Sequence, residues 1–314
     1  MKRTSPVKTD HKLAKRGAAE PLSSTARIAY LIVAHNHLGQ LVKLVNALDS
    51  PNACFIIHID KKARGYREFI DDPSSLSLLG NERVSLLKPR QVVRWGAYSV
   101  TSVCLCALKE ALKIPGVVRF KSLSGTDFPI RPTMEIEDIL LRDVKTIFLK
   151  GTRPRNWRVR ARTEQYWFDD TFRSHRLAHY FARGQRLLGI NRKHPHGVPV
   201  FKGGAWWCLN RDAVSYVLEF LESRPDVERF FRRSSTADES LIPSVLQTSP
   251  LWKDVVHDSQ VFTRFQPGAS SPDELESTDL PEAMSSGKLF ARKFNTGKNS
   301  GILEIVDDLR HSLP

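Results

Sequence analysis

Two adjacent carboxylates, Asp238 and Glu239, stand in the stretch Ser234-Ser-Thr-Ala-Asp-Glu-Ser-Leu241. A carboxylate held at the mouth of a cleft can take the proton from an attacking hydroxyl, the work of a general base. The pair also has a purely structural reading, because acids in the first turn of a helix suit its dipole. Leu241, Ile242, Val245 and Leu246 fall at helical spacing, and Ser234, Ser235 or Thr236 can cap that helix. Other stretches hold further chemistry. In Phe290-Ala-Arg-Lys-Phe294 two cations, Arg292 and Lys293, lie between aromatics and can clamp a diphosphate. Lys202-Gly-Gly-Ala-Trp-Trp-Cys-Leu209 joins glycines to paired tryptophans, Trp206 and Trp207. Such a pair makes a flat wall on which a sugar stacks, with core packing expected to claim one of the two rings. Ser124-Gly-Thr-Asp-Phe-Pro-Ile130 sets Asp127 just past a strand, in a loop that Pro129 and Pro132 hold extended.

Metal chemistry is not expected. His175 and His179 have the i, i+4 spacing of metal ligands on a helix, but no cysteine or further acid stands at a suitable distance; His194 and His196 are weaker still. There is no dinucleotide or phosphate-loop glycine motif, no nucleophile elbow and no zinc-type Cys/His set. No Asp-x-Asp occurs anywhere. Sugar transfer from a nucleotide diphosphate usually relies on a metal held by such a motif. A transferase of this sequence would need cationic side chains instead, with Arg292 and Lys293 the best placed.

These residues need a frame. Arg27–Ala34 and Cys54–Ile59 are continuous apolar runs of strand length, and Leu38–Leu48 between them has helical spacing. Strand, helix, strand is a βαβ unit and implies a parallel sheet. Ligands on such sheets sit at the carboxyl ends of the strands, where His35, Asn36 and Asp60 fall. Further strands are expected at 84–87, 119–123 and 145–149, with a helix ending at Lys113. Trp95-Gly96, at the entry of that helix, shapes either a pocket wall or a packed corner. Residues 150–200 hold twelve Lys/Arg against Glu164, Asp169 and Asp170 and are read as a basic insertion.

The chain of 314 residues is long enough for a real core, and its 41% hydrophobic and 26% charged content is that of a globular protein. The net charge of +14 suits a polyanion, an anionic membrane or a phosphorylated substrate, or is simply a solvated face. Residues 1–25 carry six Lys/Arg with little to bury and are expected to form a disordered basic arm, leaving 26–314 as one domain. No window reaches transmembrane length and no apolar signal core opens the sequence. Cys54, Cys104, Cys106 and Cys208 lie in apolar surroundings and are expected to be free buried thiols, which fits a reducing cytoplasm.

Seven motifs taken in order resemble one family. Ile28–His35, Phe55–Asp60, Trp95–Ser99, Ser124–Ile130, Gly203–Leu209, Ala237–Leu241 and Phe290–Phe294 are similar to the core-2/I-branching β-1,6-N-acetylglucosaminyltransferase and peptide O-xylosyltransferase family, glycosyltransferase family 14. The resemblance implies a GT-A-like α/β fold and inverting transfer of N-acetylglucosamine or xylose from a UDP-sugar to a hydroxyl acceptor, without metal or other cofactor. It makes Glu239 the base and Lys293 a diphosphate ligand. It places His35 and Asp60 at the donor nucleotide, with a second, arginine contact to the diphosphate from Arg264 or Arg292. It sets Asp127, Asp238, Trp206, Trp207 and, in the insertion, Arg160, Arg162 and Glu164 on the acceptor side. Animal members are Golgi membrane proteins with many disulfides. The few cysteines and absent anchor imply a bacterial-type soluble member, cytoplasmic or at the inner face of the membrane, with an acidic or lipid-linked acceptor. The competing expectation is a non-catalytic protein on a transferase-like fold that binds polyanions or glycans.

Overall fold

The computed structural model describes residues 26–171, 175–267, 269 and 271–312, and of His175 and Arg176 the backbone alone. The expected N-terminal arm lies outside the described residues. A seven-stranded sheet runs in the order β10-β6-β9-β4-β1-β2-β3. Its strands are β1 (Arg27–Ala34), β2 (Ala53–Ile59), β3 (Val84–Leu86), β4 (Val117–Ser124), β6 (Ile147–Phe148), β9 (Cys208–Asn210) and β10 (Val255–Val256). The β1–β2, β1–β4, β2–β3 and β6–β10 pairs are parallel; β9 is antiparallel to both β4 and β6. The fold is α/β, with a mostly parallel sheet between helices, as the βαβ reading required.

The apolar runs explain the layers. Side chains alternate across a strand. Tyr30 and Ile32 therefore join Phe55 and Ile57 in one core, while Ala29 and Leu31 join Cys54 and Ile56 in the other. Helix Leu38–Leu48 packs on the first side; helices Tyr98–Leu112, Arg211–Ser223 and Ala237–Leu246 pack on the second. The strand expected over 145–149 shortens to β6, because only Ile147 and Phe148 meet a partner in register. Cys104 and Cys106, on the Tyr98–Leu112 helix, are only half-buried and pack against the second core, whereas Cys54 and Cys208 are buried; all four are free.

Two smaller sheets carry the site. β5 (Asp127–Pro129), β11 (Val261–Thr263) and β12 (Phe290–Arg292) form one, with β12 parallel to β11 and antiparallel to β5. β7 (Gly151–Thr152) and β8 (Lys202–Gly203) form the other. The basic stretch leaves the body at β7 and returns at β8, so its ends are held together. It contains helices Trp157–Glu164 and His175–Leu187. Among the described residues no helix is long and apolar enough to cross a membrane.

Candidate active site

Glu239 lies in the first turn of helix Ala237–Leu246. Thr236, at the N-cap, has φ 49° and makes no side-chain cap bond. Its hydroxyl instead accepts from Arg162 Nη1 at 3.2 Å. The expected cap is therefore replaced by a clamp, since the same Nη1 donates to Glu239 Oε2 at 3.0 Å. Lys202 Nζ lies 4.0 Å from that oxygen. One carboxylate oxygen thus faces two cations, and Oε1 has no partner among the described residues. An oriented carboxylate with one open oxygen at a half-exposed position can receive a proton.

Lys202 is there because of Gly203. A Cβ at Gly203 would collide with the Lys150 carbonyl oxygen and stand 3.3 Å from the Glu239 carbonyl oxygen. Glycine alone lets β8 approach the start of the helix so closely. Asp238, beside Glu239, turns one carboxylate oxygen inward. Its Oδ1 is buried without a hydrogen-bond partner, and it lines a small gap with Thr101, Cys104 and Trp207. Burial first, and the Glu239 charge second, push the Asp238 carboxyl up to about 7. Asp238 is half-buried, with Oδ1 turned into this gap beside Glu239.

Past Gly203 the chain reaches Trp206, whose indole donates to Asp127 Oδ2 at 3.1 Å. Asp127 is fully buried. Its carboxylate also accepts from the Ser124 backbone at 2.8 Å and hydroxyl at 2.7 Å, and Arg292 Nε lies 3.0 Å from Oδ1. The Arg292 guanidinium stacks 3.8 Å from the Trp206 ring and is 7% exposed. Burial lowers its pKa, against the raising effect of Asp127. Asp127 and Arg292 are thus internal partners that hold Trp206 edge-on and face-on. Both Asp127 oxygens are engaged in this arrangement, and Arg292 is engaged with Asp127 through Nε and with Trp206 through the face of its guanidinium. Trp207 is 1% exposed and belongs to the core; one tryptophan of the pair is at the surface and one is not.

The residues expected on the donor side lie at strand ends. Asp60 follows β2 and is 2% exposed. Its Oδ1 accepts from the Lys62 backbone at 2.8 Å, and its Oδ2 lies 3.2 Å from Lys62 Nζ. Arg90 secures this end through the carbonyls of Ile59 and Asp60, at 3.0 and 2.7 Å. His35 stands past the end of β1. His35 is exposed, and partial desolvation by the nearby protein lowers its pKa; Asp60 works against this, while Lys62, His37 and Lys293 add to it. Asp60 and Lys293 thus both act electrostatically on the His35 ring. Lys293 is half-buried one residue beyond β12. Arg264 occupies the matching place beyond the parallel strand β11, but its side chain pairs with Asp279 and Glu282. Arg160 and Glu164 lie 3.6 Å apart along one face of the Trp157–Glu164 helix, away from the Arg162 contact.

The sequence reading did not single out Lys202, Lys62 or Lys121. Lys202 and Lys62 were signalled by position, one before a glycine pair and one in the turn after Asp60. Lys121 is fully buried on β4, with Nζ 3.3 Å from the Ser259 carbonyl, and burial pushes its ammonium down to about 8. A lysine inside an apolar strand was its only mark. His179 meets Trp167 edge-on at 5.1 Å, and the His175 side chain lies outside the described residues. Among the described residues no three His, Cys, Asp or Glu side chains group as metal ligands.

Comparison with known proteins adds lineage. Mouse xylosyltransferase 2 is 28% identical over 303 residues, covering 90% of this chain and 33% of that protein. Rat xylosyltransferase 2 is 27% identical over 313 residues, covering 92% and 34%. The chain thus spans about a third of the length of the curated relatives it matches. Among solved structures, that of the galactosyltransferase LgtC in complex with donor and acceptor sugar analogs aligns over 91% of this chain and 97% of that chain, at 9% identity and a TM-score of 0.36. The model of the Core-2/I-Branching enzyme family matches residues 28–281, and the chain belongs to that glycosyltransferase family.

Proposed function

We propose that this protein is an inverting, metal-independent glycosyltransferase with a GT-A-like frame, moving a sugar from a UDP-sugar to a hydroxyl of a glycan or other acceptor. The observation that carries the proposal is Glu239, with Oε2 held by Arg162 and Lys202 and Oε1 open. Oε1 takes the acceptor's proton as its oxygen forms a bond to the anomeric carbon. The bond from that carbon to the β-phosphate oxygen breaks, and UDP leaves with the electron pair. Lys293 meets the charge growing on the diphosphate, and His35 and Asp60 bound the nucleotide. Burial of Arg292 favours Arg264 as the second diphosphate cation, swinging from Asp279 and Glu282 towards the neighbouring Lys293 position. The names of the mouse and rat relatives favour xylose over N-acetylglucosamine as the donor sugar. Metal independence rests on the lack of any Asp-x-Asp in the sequence.

The exposed cations of the insertion suit an acidic acceptor, with Arg160 the contact of choice. A thermal-shift series with UDP and UDP-sugars, with and without EDTA, tests the core of the proposal. Stabilisation by UDP that is indifferent to EDTA is expected. No shift with UDP or any UDP-sugar overturns the donor assignment, and a shift abolished by EDTA overturns the metal-independent mechanism.

A further inference from the structure

Exposed large apolar side chains are not spread evenly over this surface. Eight of the fifteen found among the described residues lie between Trp157 and Ile190. The densest group is on helix His175–Leu187 and the turn that ends it. Leu177 is 57% exposed, Tyr180 71%, Leu187 82%, Leu188 78% and Ile190 41%. The inward face of this helix explains why. Ala178, Ala182 and Gln185 are buried against the body, with Ala178 and Ala182 packed on Trp167. The residues that would make a core stripe in an ordinary surface helix are turned to solvent instead. A patch of this kind, on a helix whose small residues face inward, marks an interaction site.

The helix ends in a compact, hydrogen-bonded turn. Gly189 has φ +69°, its N–H donates to the Arg186 carbonyl at 3.1 Å, and the Ile190 N–H donates to the Gln185 carbonyl at 2.9 Å. The Leu188 N–H donates to the Gly184 carbonyl at 3.1 Å. This Schellman closure satisfies the backbone donors at the tip that carries Leu187, Leu188 and Ile190.

Charge identifies the medium. Arg158, Arg160, Arg183, Arg186 and Lys193 are exposed in the same region. Its acids are occupied or hidden: Glu164 lies 3.6 Å from Arg160, Asp170 accepts from the Ser99 backbone at 3.1 Å, and Asp169 is 8% exposed. Apolar side chains at a helix end, with exposed cations on the same helix and on the segments next to it in the chain, match the surface of an anionic bilayer. We infer that the Leu177–Ile190 surface docks the protein peripherally on an anionic lipid membrane, with Leu187, Leu188 and Ile190 entering the headgroup layer and Arg183 and Lys193 meeting lipid phosphates. Docking does not depend on sugar transfer, so it is measured without donor or acceptor.

The test is co-sedimentation of the full chain with phosphatidylcholine vesicles, with and without phosphatidylglycerol, at low salt. Binding to the anionic vesicles is expected. The Leu187→Ser/Leu188→Ser double substitution should weaken it about tenfold or more, with Tyr180→Ser as a second apolar variant. Arg183→Gln and Lys193→Gln should each weaken it about fivefold, on anionic vesicles only. All these side chains are exposed, so unchanged melting of the variants serves as the folding control. Three results would overturn the inference. The chain could fail to sediment with anionic vesicles. Binding could survive the leucine substitutions. Or those substitutions could convert a dimer to a monomer in light scattering without changing vesicle binding, which would make the patch a self-association face.

Discussion

Arg162 Nη1 lies 3.0 Å from Glu239 Oε2, so a cation from the basic insertion closes on the carboxylate assigned as the base. Under the proposed mechanism the insertion therefore contributes to the catalytic apparatus and is not only a charged surface. The same guanidinium nitrogen holds the Thr236 hydroxyl, which ties the carboxylate to the start of its own helix.

This arrangement separates two arginines that are neighbours in sequence. Arg162→Gln is expected to lower kcat by roughly 10- to 100-fold through misorientation of Glu239, while UDP binding by thermal shift is unchanged. Steady-state kinetics with both substrates checks it. A rise in acceptor KM alone, at constant kcat, would make Arg162 an acceptor contact instead.

Arg160→Glu, by contrast, should raise the KM of an acidic acceptor and leave the donor KM alone. Added salt should mimic it, because exposed charges are screened beyond about 10 Å at ordinary ionic strength. An acceptor KM indifferent to both would remove the acidic acceptor from the account.

Arg292 and Lys293 are adjacent but should behave oppositely. Arg292→Ala leaves buried Asp127 without its cation, a change that typically costs about 3–5 kcal/mol. A large fall in Tm is expected. Lys293→Ala should leave Tm unchanged and weaken UDP binding. Calorimetric melting and UDP titration of the two variants decide the matter. The reverse pattern would exchange their roles.

Asp238 gives the stability a pH dependence of definite sign. Its carboxyl is raised to about 7 in the folded protein, above its unfolded value. Between those values the folded state binds the additional proton, so stability falls as pH rises. Asp238→Asn should therefore flatten the decline of Tm from mildly acid pH to pH 8 and be the more stable form at pH 8. Parallel melting curves for the two proteins across that range would show that the Asp238 proton plays no part.

The frame was legible because its signal is local. The apolar runs of β1 and β2 and the period of the helix between them fix a parallel βαβ unit, and with it the ends where His35 and Asp60 must fall. Glu239 and Lys293 were legible as types in short motifs. What the sequence could not show is direction. Asp127, Arg292 and Trp207 are the same residue types whether they face a ligand or the interior. Only the packing of Trp206 against Asp127 and Arg292 reveals that the polar pair is internal. The Arg162–Glu239 contact was equally hidden, since it spans 77 positions and depends on β7 and β8 closing the base of the insertion.

The central claim is that Glu239 is the base of a transfer reaction. Glu239→Gln preserves its shape and removes its proton affinity. Sugar transfer from a UDP-sugar, measured as acceptor product formed beside UDP titration of the same variant, tests this most directly. The account expects transfer to fall roughly 100-fold or more with UDP affinity retained. Undiminished transfer by the Glu239→Gln protein would contradict it.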